Sequence, residues 1–79
     1  MSKEYYRKRL VDLRADITKE REAKKRDNAS YASRIKSATG TYNKAYYRKC
    51  KIDKAAYHDR RIESLKREVL RTRVAMKRA

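Results

Sequence analysis

Apolar residues in the N-terminal half of the chain recur at the spacing of one helical face. Steps of three and four residues predict an amphipathic helix from about residue 3 to residue 37. Ser2, with the acidic Glu4 close behind it, is a suitable N-cap for this helix. The positions that share the face are Tyr6, Leu10, Leu13, Ile17, Tyr31, Ile35 and Ala38.

The middle of this predicted helix has no apolar stripe. Residues 18–28 are polar almost throughout and offer only Ala23 to a core. Asp27 and Asn28 also have low helix propensity, because their side chains compete for backbone hydrogen bonds. The middle of this helix is therefore expected to be weakly anchored, and a break or kink near residues 27–30 is the main alternative to one helix over residues 3–37.

The C-terminal half repeats the helical stride and predicts a second helix over about residues 42–78. Four of its apolar positions, beginning at Ala55, are seven residues apart, which is the spacing of a heptad seam. Lys77 and Arg78 place positive charge in the last turn, where the helix dipole favours it. The apolar positions are Ile52, Ala55, Ile62, Leu65, Val69 and Met76.

A turn is expected at about residues 38–42, because Gly40 is the only glycine and the chain has no proline. Glycine can take the left-handed conformation that ends a helix, and Thr39 or Thr41 can cap the helix that follows. The prediction is one all-α domain, residues 1–79, folded as a coiled-coil-like two-helix antiparallel hairpin. One continuous helix with a tolerated glycine is the alternative.

In a hairpin folded at Gly40, facing residues have numbers that add up to about 79. This register brings apolar positions together and predicts that Asp27 approaches Lys51 and Ile52. It also places Glu20 opposite Asp59 and Arg60. The apolar pairs are Leu10 with Val69, Ile17 with Ile62, and Ile35 with Ala45.

The two predicted helices also resemble each other in sequence. When Lys3 is aligned with Lys44, KEYYRK at the start of the first helix matches KAYYRK at the start of the second. Duplication and chance similarity in a biased composition both remain open. A seam of roughly a dozen aliphatic residues is small for a domain that must stand alone, so we expect dimerisation or a partner protein to complete it.

Charge is the strongest functional signal in the sequence. Lys and Arg number 25 against ten Asp and Glu, which gives a net charge of +15. Such a field attracts polyanions, and we expect a non-catalytic module that binds nucleic acid without sequence specificity. The candidate phosphate contacts are Arg7, Lys8, Arg48, Lys49, Arg60, Arg61, Lys66, Arg67, Arg71 and Arg73.

The alternative function is protein interaction: an adaptor, inhibitor or secretion partner that binds an acidic helical protein. The chain has seven tyrosines and neither phenylalanine nor tryptophan, and tyrosine suits protein interfaces. Adjacent tyrosines on a helix diverge by about 100°, so one ring of each pair should pack and the other remain exposed. The candidate partner contacts are Tyr5, Tyr6, Tyr46, Tyr47, Leu70 and Val74.

Catalytic chemistry has little support in the sequence. His58 and its neighbour Asp59 point in different directions on a helix and cannot form a dyad, so His58 is expected at the solvated surface. Cys50 is expected to be a partly buried helical residue or an exposed thiol. No metal-ligand spacing or phosphate-binding loop occurs, and we expect no enzyme activity, cofactor or metal.

No apolar run is long enough to cross a bilayer, and no hydrophobic segment of the signal-peptide type follows Met1. The mature chain is therefore expected to begin where the sequence begins. A cytoplasmic location is expected, and secretion by a route that needs no signal peptide remains open.

The hairpin outline, with a glycine near the middle of the chain, resembles the WXG100-like secreted hairpins. Ala38-Thr39-Gly40 stands where that family has Trp-x-Gly, and the strong positive charge also departs from the family pattern. The resemblance is architectural. It implies a helix-turn-helix outline and a helical protein as partner.

Overall fold

A computed structural model describes residues 2–79 as two long α-helices that pack against each other in antiparallel orientation. Helix α1 runs over Lys3–Ser37 and helix α2 over Thr41–Arg78. The pair forms a rod with dimensions of 59 × 14 × 11 Å. The predicted all-α hairpin is confirmed, and α2 begins one residue earlier than the sequence pattern indicated.

Helix α1 begins at the expected cap. The Oγ of Ser2 accepts a hydrogen bond from the backbone N–H of Tyr5 at 3.4 Å. The helix is continuous through residues 27–30, as the predicted helix over residues 3–37 requires, and the alternative with a break there is wrong. The reason is that the polar middle is anchored to α2 by ion pairs, which are described below.

The turn depends on Gly40, as predicted, but in a different position. Gly40 has φ 84° and ψ 148° and precedes the first residue of α2, whereas Ala38 caps the end of α1. Gly40 therefore lies two residues after the cap of α1, and not directly after it as the sequence predicted. Neither Thr39 nor Thr41 caps α2 through its side chain, which corrects that expectation. The side-chain amide of Asn43 instead donates to the carbonyl of Thr39 at 3.1 Å.

Replacing Gly40 with L-alanine should lower the free energy of unfolding by about 1–3 kcal/mol, because this combination of φ and ψ is essentially restricted to glycine. A Cβ at this position would have no atom within 4 Å, so the cost is backbone strain without a clash. D-alanine tolerates positive φ and provides a matched control in synthetic protein. Urea unfolding should show a loss for L-alanine only, and an equal loss for both would contradict the strain.

The core between the helices is narrow and partly polar. Its buried apolar residues all come from the predicted faces of the two helices: Leu10, Leu13, Ile17 and Ile62. Two residues that the sequence placed in the seam are not buried there, since Ala45 is exposed and Ile52 is 69% exposed. Ile52 lies ten residues before Ile62, which places it about 80° around the helix from the seam.

Thr72 is buried in the seam, where its hydroxyl donates to the carbonyl of Glu68 at 2.8 Å. Its burial was not predicted. Within residues 2–79, neither helix contains a segment long and apolar enough to cross a membrane.

Candidate polyanion-binding face

His58 is buried at the centre of the hairpin, with only 4% of its surface exposed. Its Nδ1 lies 2.6 Å from Oε1 of Glu20, and its Nε2 lies 2.6 Å from Oδ2 of Asp27. The prediction that His58 lies at the solvated surface is therefore wrong. His58 comes four residues before Ile62 and so shares the face that packs against α1.

This arrangement favours the charged imidazole. Ionised carboxylates only accept hydrogen bonds, so both contacts are satisfied when both ring nitrogens carry protons. Hydrogen bonding to Asp27, followed by that to Glu20, raises the pKa of His58 against the opposing effect of burial. The same bonds, His58 first, hold the pKa values of Glu20 and Asp27 below their ordinary values.

Further ion pairs extend this cluster across the polar middle of the hairpin. The Nε of Arg61 lies 3.1 Å from Oε2 of Glu20. The Nζ of Lys24 lies 2.7 Å from Oδ1 of Asp59. Asp27 was expected near Lys51 and Ile52, but its carboxylate meets His58 instead.

The cluster is suited to holding the helices together and not to catalysis. Both ring nitrogens of His58 are engaged, so neither is free to take a proton from a substrate. Tyr57 covers one edge of the imidazole, with ring centroids 5.4 Å apart. In the part of the chain that the structure describes, no group of three or more His, Cys, Asp or Glu side chains is arranged to hold a metal ion.

The ion pairs within the hairpin engage only a few of its Lys and Arg side chains, and most of these cations face solvent. Four carboxylates form ion pairs: Glu20, Asp27, Asp59 and Glu68. Across residues 2–79, the Lys and Arg side chains in ion pairs are Arg9, Lys24, Arg61 and Arg71. The other Lys and Arg side chains therefore supply an outward positive field.

Two grooves between the helices concentrate this charge. Neither lining includes a carboxylate. The loop-proximal groove is lined by Lys24, Asn28, Ile35, Arg48, Lys51, Ile52 and Ala55. The distal groove is lined by Arg14, Ile17, Lys66, Val69, Leu70 and Arg73.

The two grooves repeat along one side of the hairpin. Each α2 residue of the loop-proximal groove has a counterpart at a constant separation in the distal groove, as in Arg48 and Lys66, or Ile52 and Leu70. This separation is about five helical turns, so counterparts lie on the same side of α2 and about 27 Å apart. We call the side that carries both grooves the basic face.

The ten predicted phosphate contacts are all exposed, but they are not gathered in one place. Those that line the basic face are Arg48, Lys66 and Arg73. Those already in ion pairs are Arg61, with Glu20, and Arg71, with Glu68. Those that line neither groove are Arg7, Lys8, Lys49, Arg60 and Arg67.

Three cations of the basic face were missed from the sequence: Arg14, Lys24 and Lys51. The register of the hairpin contained the signal. It pairs Lys24 with Ala55 and Asn28 with Lys51, and all four residues line the loop-proximal groove. Choosing cations by their position across the seam would have identified Lys24 and Lys51.

The tyrosine pairs confirm the predicted division between packing and exposed rings. Tyr5 and Tyr46 are exposed, whereas Tyr6 and Tyr47 are half-buried. The rings of each pair meet edge to face, with centroids 5.3 and 5.5 Å apart. Cys50 is half-buried, and its contact with Tyr46 raises the pKa of that phenol.

The proposed partner contacts fall in separate places. No tyrosine lines the basic face. Leu70 lies in the distal groove, and Val74 is exposed in an adjoining groove that continues from Leu70 toward the end of α2. Comparison of the chain with protein-family models, curated proteins and solved structures gave no match, so none of these comparisons supports the resemblance to WXG100-like hairpins.

Proposed function

We propose that the hairpin is a non-catalytic module that binds nucleic acid through its phosphates, without reading base sequence. The observation that carries this proposal is the basic face, where cations from both helices line two grooves that contain no carboxylate. Within residues 2–79, only Lys24 of the six groove cations is in an ion pair, with Asp59, and the other five create a positive potential that attracts a polyanion. Phosphate contacts supply affinity and orientation but carry no sequence information.

The spacing of the grooves favours a ligand with regularly repeated charge. A polyanion that occupies both grooves must span about 27 Å, which corresponds to about eight nucleotides at about 3.4 Å per step. No tyrosine lies in the grooves to stack a base, so the proposed contacts are made to the phosphate backbone.

Neutralising three cations of the basic face should weaken binding to a random-sequence DNA duplex and reduce its dependence on salt. The variant carries Arg48→Gln, Lys66→Gln and Arg73→Gln. Each lost phosphate contact reduces the log–log slope of affinity against salt by about 0.9, so three should reduce it by about 2.7. Fluorescence anisotropy over a NaCl titration measures both quantities.

A matched variant removes the same charge elsewhere: Lys19→Gln, Arg60→Gln and Arg67→Gln. These side chains are exposed and line neither groove. It should keep most of the parent slope. Equal losses in both variants would show that the field is spread over the whole rod and that the basic face is not the site. If the parent protein binds no duplex at low salt, the proposed function is wrong.

A further inference from the structure

The basic face has an apolar floor that phosphate contacts leave unused. Ile52 is 69% exposed and Leu70 is 60% exposed, at equivalent positions of the two grooves. Beside them lie the half-buried Ile35, Ala55 and Val69. A nucleic acid backbone gains nothing by covering aliphatic side chains, so these residues indicate a second kind of occupant.

We propose that the basic face is a docking site for an acidic amphipathic helix of a partner protein, which lies along both grooves and completes a three-helix bundle. A helix in a groove places apolar anchors on the floor at intervals of three, four and seven residues. The floor recurs after about five full turns of α2, so one straight helix alongside it can present the same face to both grooves. The inference rests on the shape and apolarity of the grooves and does not require nucleic-acid binding.

Charge selects the partner. The floor is bordered by cations from both helices: Arg14, Lys24, Arg48, Lys51, Lys66 and Arg73. A helix with leucine-type anchors on one face and Glu or Asp beside them matches this rim, and complementary charge speeds association and excludes other partners. A second copy of this chain would bring +15 toward +15, so self-association is opposed.

The length of the site sets the length of the partner helix. The α2 positions that line the grooves run from Arg48 to Arg73, or about 38 Å along the helix axis. A partner helix of about 25 residues would therefore reach both grooves. One that reaches a single groove would bury about half of the floor.

The test uses a synthetic acidic helical peptide of about 25 residues, the length that spans both grooves, with leucine at helical three- and four-residue spacing and glutamate beside it. A peptide of the same composition with the leucines scattered around the helix is the first control. We expect the ordered peptide to bind at least about tenfold more tightly, because only it can place its leucines on the floor. A version of half the length should bind more weakly than the long one.

Variants of the hairpin locate the contact. Leu70→Gln and Ile52→Gln should each weaken binding of the ordered peptide about tenfold, as expected for an anchor residue. They should weaken duplex DNA binding much less, because the proposed phosphate contacts come from the cations beside them. Val11→Gln is the matched control, since Val11 is 63% exposed on α1 and lines neither groove. It should leave both affinities unchanged. Circular dichroism confirms that each variant keeps the parent helicity.

Several outcomes would overturn the inference. Equal binding of the ordered and scattered peptides would reduce the interaction to charge alone. Unchanged affinity in the Leu70 and Ile52 variants would place the peptide elsewhere. If the protein sediments as a dimer and the Leu70→Gln variant does not, the occupant of the grooves is a second copy of this chain. If the protein binds phosphatidylglycerol vesicles and Leu70→Gln weakens that binding, the occupant is a membrane surface. Duplex binding is measured separately, so the two proposals can fail independently.

Discussion

Replacing His58 with alanine should lower the free energy of unfolding by about 3 kcal/mol. The change leaves the carboxylates of Glu20 and Asp27 without the cation that lies between them, and removing one partner from a buried ion pair costs about 3–5 kcal/mol. We expect the lower end, because Asp27 is partly exposed to water. A chain of this size has a total stability of roughly 4–12 kcal/mol, so the loss is a large fraction of it. Urea unfolding at pH 6, followed by circular dichroism, measures it.

The neighbouring ion pair provides the control. Asp59→Ala breaks the exposed contact with Lys24 and should cost less than about 1 kcal/mol. A second variant tests the mechanism: Glu20→Leu, Asp27→Leu and His58→Leu together replace the whole cluster with apolar side chains at seam positions. It should be at least as stable as the parent, because a buried ion cluster often contributes no more than an apolar core of similar volume. Equal losses in the alanine variants of His58 and Asp59 would contradict the central role of His58.

The fold was predictable because its determinants are local. Helical stride, the cap at Ser2 and the single glycine at residue 40 each act over a few residues. They predicted two helices, the turn and positive φ at Gly40, all of which the structure shows. The position of Gly40 in the turn, two residues after the cap of α1 and directly before α2, was not predictable. It depends on how the end of α1 and the start of α2 meet in space.

The burial of His58 was missed because its partners are distant in sequence. Glu20 and Asp27 lie 38 and 31 residues away, so no local pattern shows them together. On α1 these two acids occupy the same helical face as the apolar residues, since Glu20 follows Ile17 by three residues and Asp27 precedes Tyr31 by four. A search for apolar residues alone therefore found a gap there and left a kink open as an alternative, whereas ion pairs hold this part of the helix against α2.

The basic face was predictable in charge but not in position. Composition gives the sign and size of the field, and the register gives the residues that face each other, as with Asn28 and Lys51. The exposure of Ile52 depends on where the seam runs around α2. Because the heptad positions extend from Ala55 to Met76, Ile52 looked like a continuation of the seam, whereas the structure leaves it at the edge of a groove.

The charges of the hairpin fall into two groups: those paired in the central cluster, and the mostly unpaired cations of the grooves, which we propose bind a ligand. The central cluster places Glu20 and Asp27 against His58, and Asp59 against Lys24, so these acids are engaged between the helices. The cations that line the grooves, apart from Lys24, form no ion pair in residues 2–79 and stay available to a ligand. Substitutions in the cluster should therefore change stability with little effect on ligand affinity, and substitutions in the grooves should do the reverse.

The stability of the hairpin should depend on pH and be highest between about pH 4.5 and pH 6.5. The pKa of His58 is raised above its ordinary 6.5, so its contribution is complete below pH 6.5 and is lost as the pH rises through the folded-state value. The pKa values of Glu20 and Asp27 are lowered from 4.5 and 3.8, so their contributions are complete above those values and are lost as the pH falls through the folded-state values.

Urea midpoints measured from pH 3 to pH 9 would show this profile. His58→Gln is the specific control, because glutamine keeps a polar side chain in the seam but does not titrate. Its midpoint should be lower than that of the parent at pH 6 and nearly constant from pH 6 to pH 9, where the carboxylates of Glu20 and Asp27 stay ionised because their pKa values are lowered. A parent protein whose midpoint is flat over the same range would show that His58 is not held as a cation between the two carboxylates. Loss of the alkaline decline in His58→Gln alone would assign that decline to this imidazole and identify it as the charge that joins the two helices.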